Sequence, residues 1–407
     1  MNLSNKIEVN PEKIEQFLSQ GVENVYPNKD FVRARLMEGK RLSMYLGIDP
    51  TGPTLHLGHA TILRKLKEFQ ELGHEAVLLI GDFTGMIGDP TDKTATRKKL
   101  THKEVLKNAK LYKKQASIFL NFKGKNKARL VYNSSWLSKM RFADVLDLAS
   151  KMTVDQMLKR DMFEKRTQEG KPIFIHEFMY PLLQGYDSVA MDVDGEIGGN
   201  DQTFNMLTGR DLMKNILNKE KFVVTIKLLT DPTGKKMGKT EGNMVSLDQS
   251  AEEMFGKVMS WSDGLIVPAF ELCTMASASQ VAEVKRNLES GTNPRDLKVR
   301  LAKEIITIYH GEASAVAAEQ NFINTFKKGE LPDDTKEVSV ENGAILVDVL
   351  VKEGVVASKG DFRRLVEGNA ISEVGKDDVI TDAAYKITRD ISLRVGKKRF
   401  IKIVVSK

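Results

Sequence analysis

The chain has 407 residues, 41% hydrophobic and 29% charged, and a formal net charge of +7. That length and balance support two or three domains with real cores and exclude a fibrous or disordered protein. The mild positive excess suits a polyanion partner without singling one out. In chain order, apolar runs at Leu42–Ile48, Glu75–Phe83, Arg129–Asn133, Asp194–Ile197 and Phe222–Lys227 read as strands. Between them Ile62, Leu63, Leu66, Phe69 and Leu72 recur at helical spacing, as do Phe178, Leu182, Leu183 and Val189. Strand and helix in alternation predict an α/β fold with a parallel sheet and right-handed crossovers. Ligands of such sheets sit at the carboxyl ends of the strands. From Ser250 to about Phe326 the pattern turns helical, at Ala251–Met259, Ser279–Ser290 and Pro294–His310. Lys327–Asn342, with Pro332 and clustered charge, reads as a linker. Beyond it, helix-like Ala344–Glu353 and Lys359–Glu367 precede short strands ending in Arg399–Val405, a small α+β module.

A lone cysteine, Cys273, rules out an intrachain disulfide and a cysteine-based zinc site. His56 and His59 are the one close histidine pair and have no carboxylate cluster beside them, so no protein-bound metal is expected. Met1–Lys13 lacks an apolar signal core and no apolar run approaches membrane-spanning length. The expected compartment is the cytoplasm, with no membrane partner.

Four segments carry chemistry. In Tyr45-Leu-Gly47-Ile-Asp49-Pro-Thr51-Gly-Pro-Thr-Leu-His56-Leu-Gly58-His59, a strand enters a tight turn and a helix opens at the histidines. A helix N-terminus offers backbone N–H groups and a positive dipole end to phosphate. The two imidazoles add donors, and Gly58, lacking a side chain, lets a flat base approach. Lys235-Lys236-Met237-Gly238-Lys239-Thr240 places lysines on a glycine-containing loop that can close over a triphosphate. In Tyr180-Pro-Leu-Leu-Gln184-Gly-Tyr-Asp187, helical spacing puts a phenol, an amide and a carboxylate on one face, ahead of Gly198-Gly199-Asn200-Asp201-Gln202. From Lys93 to Arg129 there are thirteen Lys or Arg residues and one acid, Glu104. Each segment has a plainer reading, as helix cap, solvated loop or solvated face.

Together the first two motifs resemble the paired HIGH and KMSKS signatures of class I aminoacyl-tRNA synthetases. Gly238 and Thr240 depart from the serines of the second, but Lys236 and Lys239 remain. The Tyr180–Asp187 face and the Gly-Gly-Asn-Asp-Gln turn closely resemble the tyrosine pocket of bacterial tyrosyl-tRNA synthetases. The resemblance implies that Tyr180, Gln184 and Asp89, in Thr84-Gly-Met-Ile-Gly-Asp89-Pro, hold the substrate ammonium. Tyr45 and Asp187 would hydrogen-bond its phenol, and Asp201 and Gln202 would line the ribose and amino-acid side. Binding phenylalanine would then leave Asp187 unpaired, which is costly. Gly47, Asp49, Gly58 and Lys239 fall to ATP. His56, His59, Thr51, Lys93, Arg97, Lys236, Lys239 and Thr240 fall to catalysis at the phosphates. The remaining cations of the basic stretch would track a tRNA acceptor stem.

Ser358-Lys-Gly-Asp-Phe-Arg363-Arg364-Leu-Val-Glu-Gly368 resembles an S4-type RNA-binding module, with Arg363, Arg364, Lys397, Lys398 and Arg399 as its RNA contacts. The implied layout is a Rossmann-like catalytic domain over 1–232, then signature loop and helical anticodon-binding domain over 233–328. A linker over 329–340 and the S4-like domain over 341–407 follow. The implied activity is tyrosine activation with ATP, delivered with Mg²⁺, then transfer to tRNA by a homodimer. The rivals are a tryptophanyl enzyme, shorter and without the C-terminal module, a small nucleotidylyltransferase, and an RNA-binding or splicing protein on an inactive synthetase scaffold.

Overall fold

The computed structural model describes residues 6–90, 100–230, 244–327, 335–374, 378–396 and 399–406. Two compact units emerge, Met1–Ser250 with Lys257–Tyr309, and Ala251–Gly256 with His310–Lys407.

In the first unit, six strands form one sheet: β1 (Val22–Tyr26), β2 (Ser43–Ile48), β3 (Glu75–Ile80), β4 (Arg129–Tyr132), β5 (Gly195–Gly199) and β6 (Phe222–Ile226). Their order is β1-β6-β5-β2-β3-β4. All neighbours are parallel except the edge pair β1 and β6. Strands β5 and β6 are buried throughout, and β3 from its second residue on. Such runs of buried residues suit parallel strands covered on both faces. The expected parallel α/β core is therefore present, with β1 an addition. Its Val-Glu-Asn-Val-Tyr run, with Val22 buried and the rest exposed or half-buried, is that of an edge.

Helix Leu57–Glu71 buries Leu57, Leu63, Leu66 and Phe69. Helices Ile175–Met191 and Thr203–Leu217 pack together where Gly185 meets Gly209. A Cβ on Gly185 would come within 3.0 Å of the Gly209 nitrogen, so the two backbones touch. The unit continues through helices Ile266–Cys273, Ala278–Glu289 and Pro294–His310.

In the second unit, strands Lys336–Val340, Arg399–Val405, Ile391–Val395 and Ile371–Glu373 form a four-stranded sheet in that spatial order. Helices Leu346–Lys352 and Lys359–Glu367 cover a core that includes Leu350, Phe362, Ile371, Leu393 and Ile401. The linker reading to residue 340 is corrected here. Lys336–Val340 is a strand paired in parallel with Arg399–Val405. Its exposed, charge-rich pattern hid it, because an edge strand needs only one apolar face. Among the described residues no helix is long and apolar enough to cross a membrane.

Candidate active site

Strand β2 brings its last residues to the carboxyl end of the sheet, where ligands of parallel sheets sit. Gly47 is the exposed residue of an otherwise mostly buried strand, so its backbone lies open to a ligand. Asp49 follows directly. Its Oδ1 accepts from Thr84 Oγ1 at 2.7 Å and its Oδ2 from Tyr180 Oη at 2.8 Å. A Cβ on Gly81 would fall 1.9 Å from Asp49 Oδ1, so only glycine admits this carboxylate. Tyr180 is thus tied to Asp49, and burial, reinforced by Asp49 and Asp89, pushes its phenol well up.

Asp187 is 2% exposed. Trp136 Nε1 donates to its Oδ1 at 2.8 Å, and Asn133 Nδ2 donates to its Oδ2 at 3.3 Å. Burial raises this carboxyl well above its usual range, against the pull of those two donors. Asn133 also donates to Thr84 Oγ1 at 3.0 Å, which joins Asp187 to Asp49 and Tyr180. The expectation that phenylalanine would leave Asp187 unpaired needs revision, since both oxygens already have a donor.

A second network runs through the same helix. Tyr45, with no exposed surface, has its Oη 3.0 Å from Ser188 Oγ. Lys221 Nζ donates to Ser188 Oγ at 2.8 Å and to Glu196 Oε2. Glu196 Oε1 accepts from Gln184 Nε2 at 3.1 Å. Asn205 Nδ2 donates to both Gln184 Oε1 and Gln202 Oε1 at 2.9 Å, and Gln202 Nε2 reaches Asp89 Oδ2 at 2.7 Å. Arg160 closes the chain 3.5 Å from Asp89 Oδ1, with Asp201 also near enough to influence it. The six expected tyrosine-pocket residues thus fall within two hydrogen-bonded networks that both run through helix Ile175–Met191. Sequence reasoning missed their connectors: Asn133, Trp136, Ser188, Glu196, Asn205 and Lys221. A signal existed for the first two, which follow the carboxyl end of β4.

The histidine motif differs in detail from expectation. His56 caps helix Leu57–Glu71, its Nδ1 accepting from Gly58 N at 3.1 Å, while His59 Nδ1 accepts from His56 N at 3.2 Å. The N–H of Leu57 goes to the Val245 carbonyl at 3.0 Å and that of His59 to the His56 carbonyl at 2.9 Å. The helix-end N–H groups proposed for phosphate are therefore already used. The space a Gly58 Cβ would take is crowded by the His56 ring, 2.9 Å away. With both Nδ1 atoms accepting, each ring carries its proton on Nε2 and is a neutral donor. Burial lowers the His56 imidazole to about 4 and drives that of His59 well down. Thr51 is exposed in the turn beyond Asp49.

Lys93, Arg97, Lys236, Lys239, Thr240, Lys397 and Lys398 lie outside the described residues. In the second unit Arg363, Arg364 and Arg399 are exposed. Asp361 lies 3.6 Å from Arg364 and 3.9 Å from Arg399.

The profile of the family described as tRNA synthetases class I (W and Y) matches residues 37–327. A tyrosine–tRNA ligase of Haemophilus ducreyi is 45% identical over 392 residues, 95% of this chain and 97% of its own length. That of Carboxydothermus hydrogenoformans is 44% identical, across 96% of this chain and 98% of the relative. The solved, C-terminally truncated mitochondrial tyrosyl-tRNA synthetase of Coccidioides posadasii has a TM-score of 0.61 at 25% identity, covering 76% of this chain and 90% of that one. The tyrosyl-tRNA synthetase of Archaeoglobus fulgidus, solved with L-tyrosine, shares the fold with a TM-score of 0.60 at 20% identity, over 76% and 100% of the two chains. The chain belongs to the class I tRNA synthetases, in the branch of the tyrosine–tRNA ligases.

Proposed function

We propose that the chain activates tyrosine with ATP to tyrosyl-adenylate and transfers the tyrosyl group to the 3′ end of its tRNA. The observation that supports this most is the burial of Tyr45 and Asp187 in polar networks beside one helix, a setting suited to an aromatic ring that carries a hydroxyl.

On this reading the tyrosine carboxylate attacks the α-phosphorus of ATP in line and pyrophosphate leaves. No enzyme nucleophile is needed, so the protein contributes position and charge stabilisation. Tyr180, Gln184 and Asp89 fix the ammonium, with Gln202 holding Asp89 in place. His56 and His59 donate from Nε2 to the polyphosphate, with Thr51 at its end. Lys93, Arg97, Lys236 and Lys239, with Thr240, draw charge onto the leaving group. Gly47, Asp49, Gly58 and Asp201 face the nucleoside. Mg²⁺ arrives as part of the ATP complex.

The tRNA would meet exposed cations in both units, such as Lys103, Lys107, Lys110 and Lys113 in the first and Arg363 and Arg364 in the second. Homodimerisation is supported by large apolar side chains left open between residues 142 and 175. Phe142 is 77% and Ile175 82% exposed, and Leu146, Val154 and Phe174 are also open. The compartment on this reading is the cytoplasm, where tRNA is charged.

ATP–pyrophosphate exchange with each amino acid in turn tests the proposal. Tyrosine alone should support exchange. Exchange driven by tryptophan instead, or by none, overturns it.

A further inference from the structure

Lys221 is fully buried beside the residues of the proposed tyrosine pocket: its Nζ donates to Glu196 Oε2 and Ser188 Oγ and lies 5.8 Å from the centroid of the Tyr45 ring. Gly209 makes the room, since a Cβ there would stand 2.6 Å from Nζ. An ammonium has three hydrogens to give and no lone pair to receive. Ser188 Oγ must therefore accept from Lys221, and its own hydrogen is left to donate. The nearby acceptor is Tyr45 Oη, 3.0 Å away. Tyr45 then accepts from Ser188 and keeps its hydrogen for another partner. Within the protein the acceptors near it are the Gln184 carbonyl at 3.5 Å, the outer edge of hydrogen bonding, and the Glu196 carboxylate, both of whose oxygens already accept, from Gln184 and Lys221.

We propose that Lys221 is a positioning residue for substrate selection: through Ser188 it orients the Tyr45 hydroxyl as a donor to the phenol oxygen of bound tyrosine. The inference rests on the tyrosine-activating reading above. Its other arm, through Glu196, holds the Gln184 side chain that faces the ammonium end. The buried pair thus serves both ends of one small substrate.

The relay also explains selectivity better than Asp187 alone. Trp136 and Asn133 already satisfy Asp187, so phenylalanine would not leave that carboxylate bare. A Tyr45 hydroxyl aimed into the pocket does lose its best acceptor when phenylalanine binds. The substrate phenol answers both groups, giving its hydrogen to Asp187 and receiving one from Tyr45.

The alternative is that the ion pair merely holds the helices together, although buried pairs are weak contributors to stability. Ser188→Ala separates the two ideas, because it cuts the relay and leaves Lys221 paired with Glu196. Exchange kinetics with tyrosine, phenylalanine and ATP, and the Tm, are measured on the full chain. The expected result is a tyrosine KM raised about tenfold and a tyrosine-to-phenylalanine kcat/KM ratio lowered about tenfold. The ATP KM should stay at its wild-type value and the Tm should fall only modestly, since Lys221 loses one acceptor but keeps Glu196. Lys221→Met should lower the ratio similarly and lower the Tm further, since Glu196 loses its cation. A Ser188→Ala protein with wild-type tyrosine KM and ratio overturns the inference. So does one whose Tm and kcat fall while the ratio holds. Wild-type protein that exchanges without tyrosine overturns the ligase reading and the inference with it.

Discussion

The proposed tyrosine pocket and the C-terminal module handle charge in opposite ways. In the pocket Lys221, Glu196 and Asp187 are at most 2% exposed, and each is held by named partners. In the module the core is apolar, from Leu346 to Ile403, while Arg363, Arg364 and Arg399 stand on the outside. Burying a polar group costs free energy unless it is satisfied, so such groups are worth keeping where one geometry must be enforced. A nucleic-acid backbone repeats its charge along its length, and contact with it demands reach more than exact placement. On the proposed reading, one region rejects near-copies of a small molecule and the other holds a large one.

The strongest way to break this contrast lies at the histidines. If the phosphate donors are preorganised neutral rings, His59→Ala should lower exchange kcat about a hundredfold and leave tyrosine KM near wild type. His59→Asn, which can still accept from the His56 N–H, should match wild type in Tm while remaining slow. Wild-type turnover in either variant removes the ring from the mechanism. Asp187→Ala comes next. With Trp136 and Asn133 left facing a cavity, kcat/KM for tyrosine should fall about thirtyfold, as expected when a buried charged acceptor is removed. The ratio over phenylalanine should shrink. An unchanged ratio would shift recognition of the phenol away from Asp187.

The parallel core was legible because its strands are continuous apolar runs, a pattern that few other structures tolerate. Strand β1 and strand Lys336–Val340 were not, since edge strands mix exposed and half-buried positions and carry charges that read as loop. The same limit applies to the site. Tyr45, Asp187, Tyr180 and Gln184 stood in recognisable segments, and their side chains fall in two networks that share one helix. Lys221 sits in the run Asn218-Lys-Glu-Lys-Phe222, where any reader would place it in solvent. It is buried only because two helices cross at glycines far apart in sequence. Local pattern reports the groups that touch a ligand, while the groups that hold them are fixed by packing.

The module offers a smaller effect and a sharper division of labour. Reversing Arg363 and Arg364 to Glu should raise the KM for tRNA about tenfold and weaken its salt dependence, because phosphate contacts are exchanged for repulsion. Pyrophosphate exchange should be untouched, since neither residue lies in the first unit. A fall in exchange would contradict the separation drawn here.

The smallest expected effect uses proton linkage to tell the regions apart. His74 is fully buried, its Nδ1 accepts from Leu42 N at 3.2 Å, and its ring stacks on Phe69 with centroids 4.7 Å apart. Burial, helped by Arg41, lowers the imidazole from 6.5 to about 4. The unfolded chain therefore takes up a proton more readily between those values, and stability falls as pH drops from 6.5 toward 4. From pH 7 to pH 5 this one ring should cost about 2 kcal/mol, or roughly 4 °C in Tm. His56 and His59 act in the same direction, whereas Asp187, whose folded carboxyl is raised, acts in the opposite one. Comparing wild type with His74→Asn isolates the single ring, because asparagine can still accept from Leu42 N without titrating. Both tryptophans, Trp136 and Trp261, lie in the first unit, so their fluorescence follows that unit alone. The variant should be less stable at pH 7, yet lose roughly 4 °C less than wild type on going to pH 5. Hydrogen exchange in the sheet of residues 336–405, which contains no histidine, should show no difference between the two proteins. Equal pH slopes for wild type and variant would mean that His74 is not held neutral by burial, and acid sensitivity would no longer separate the two units.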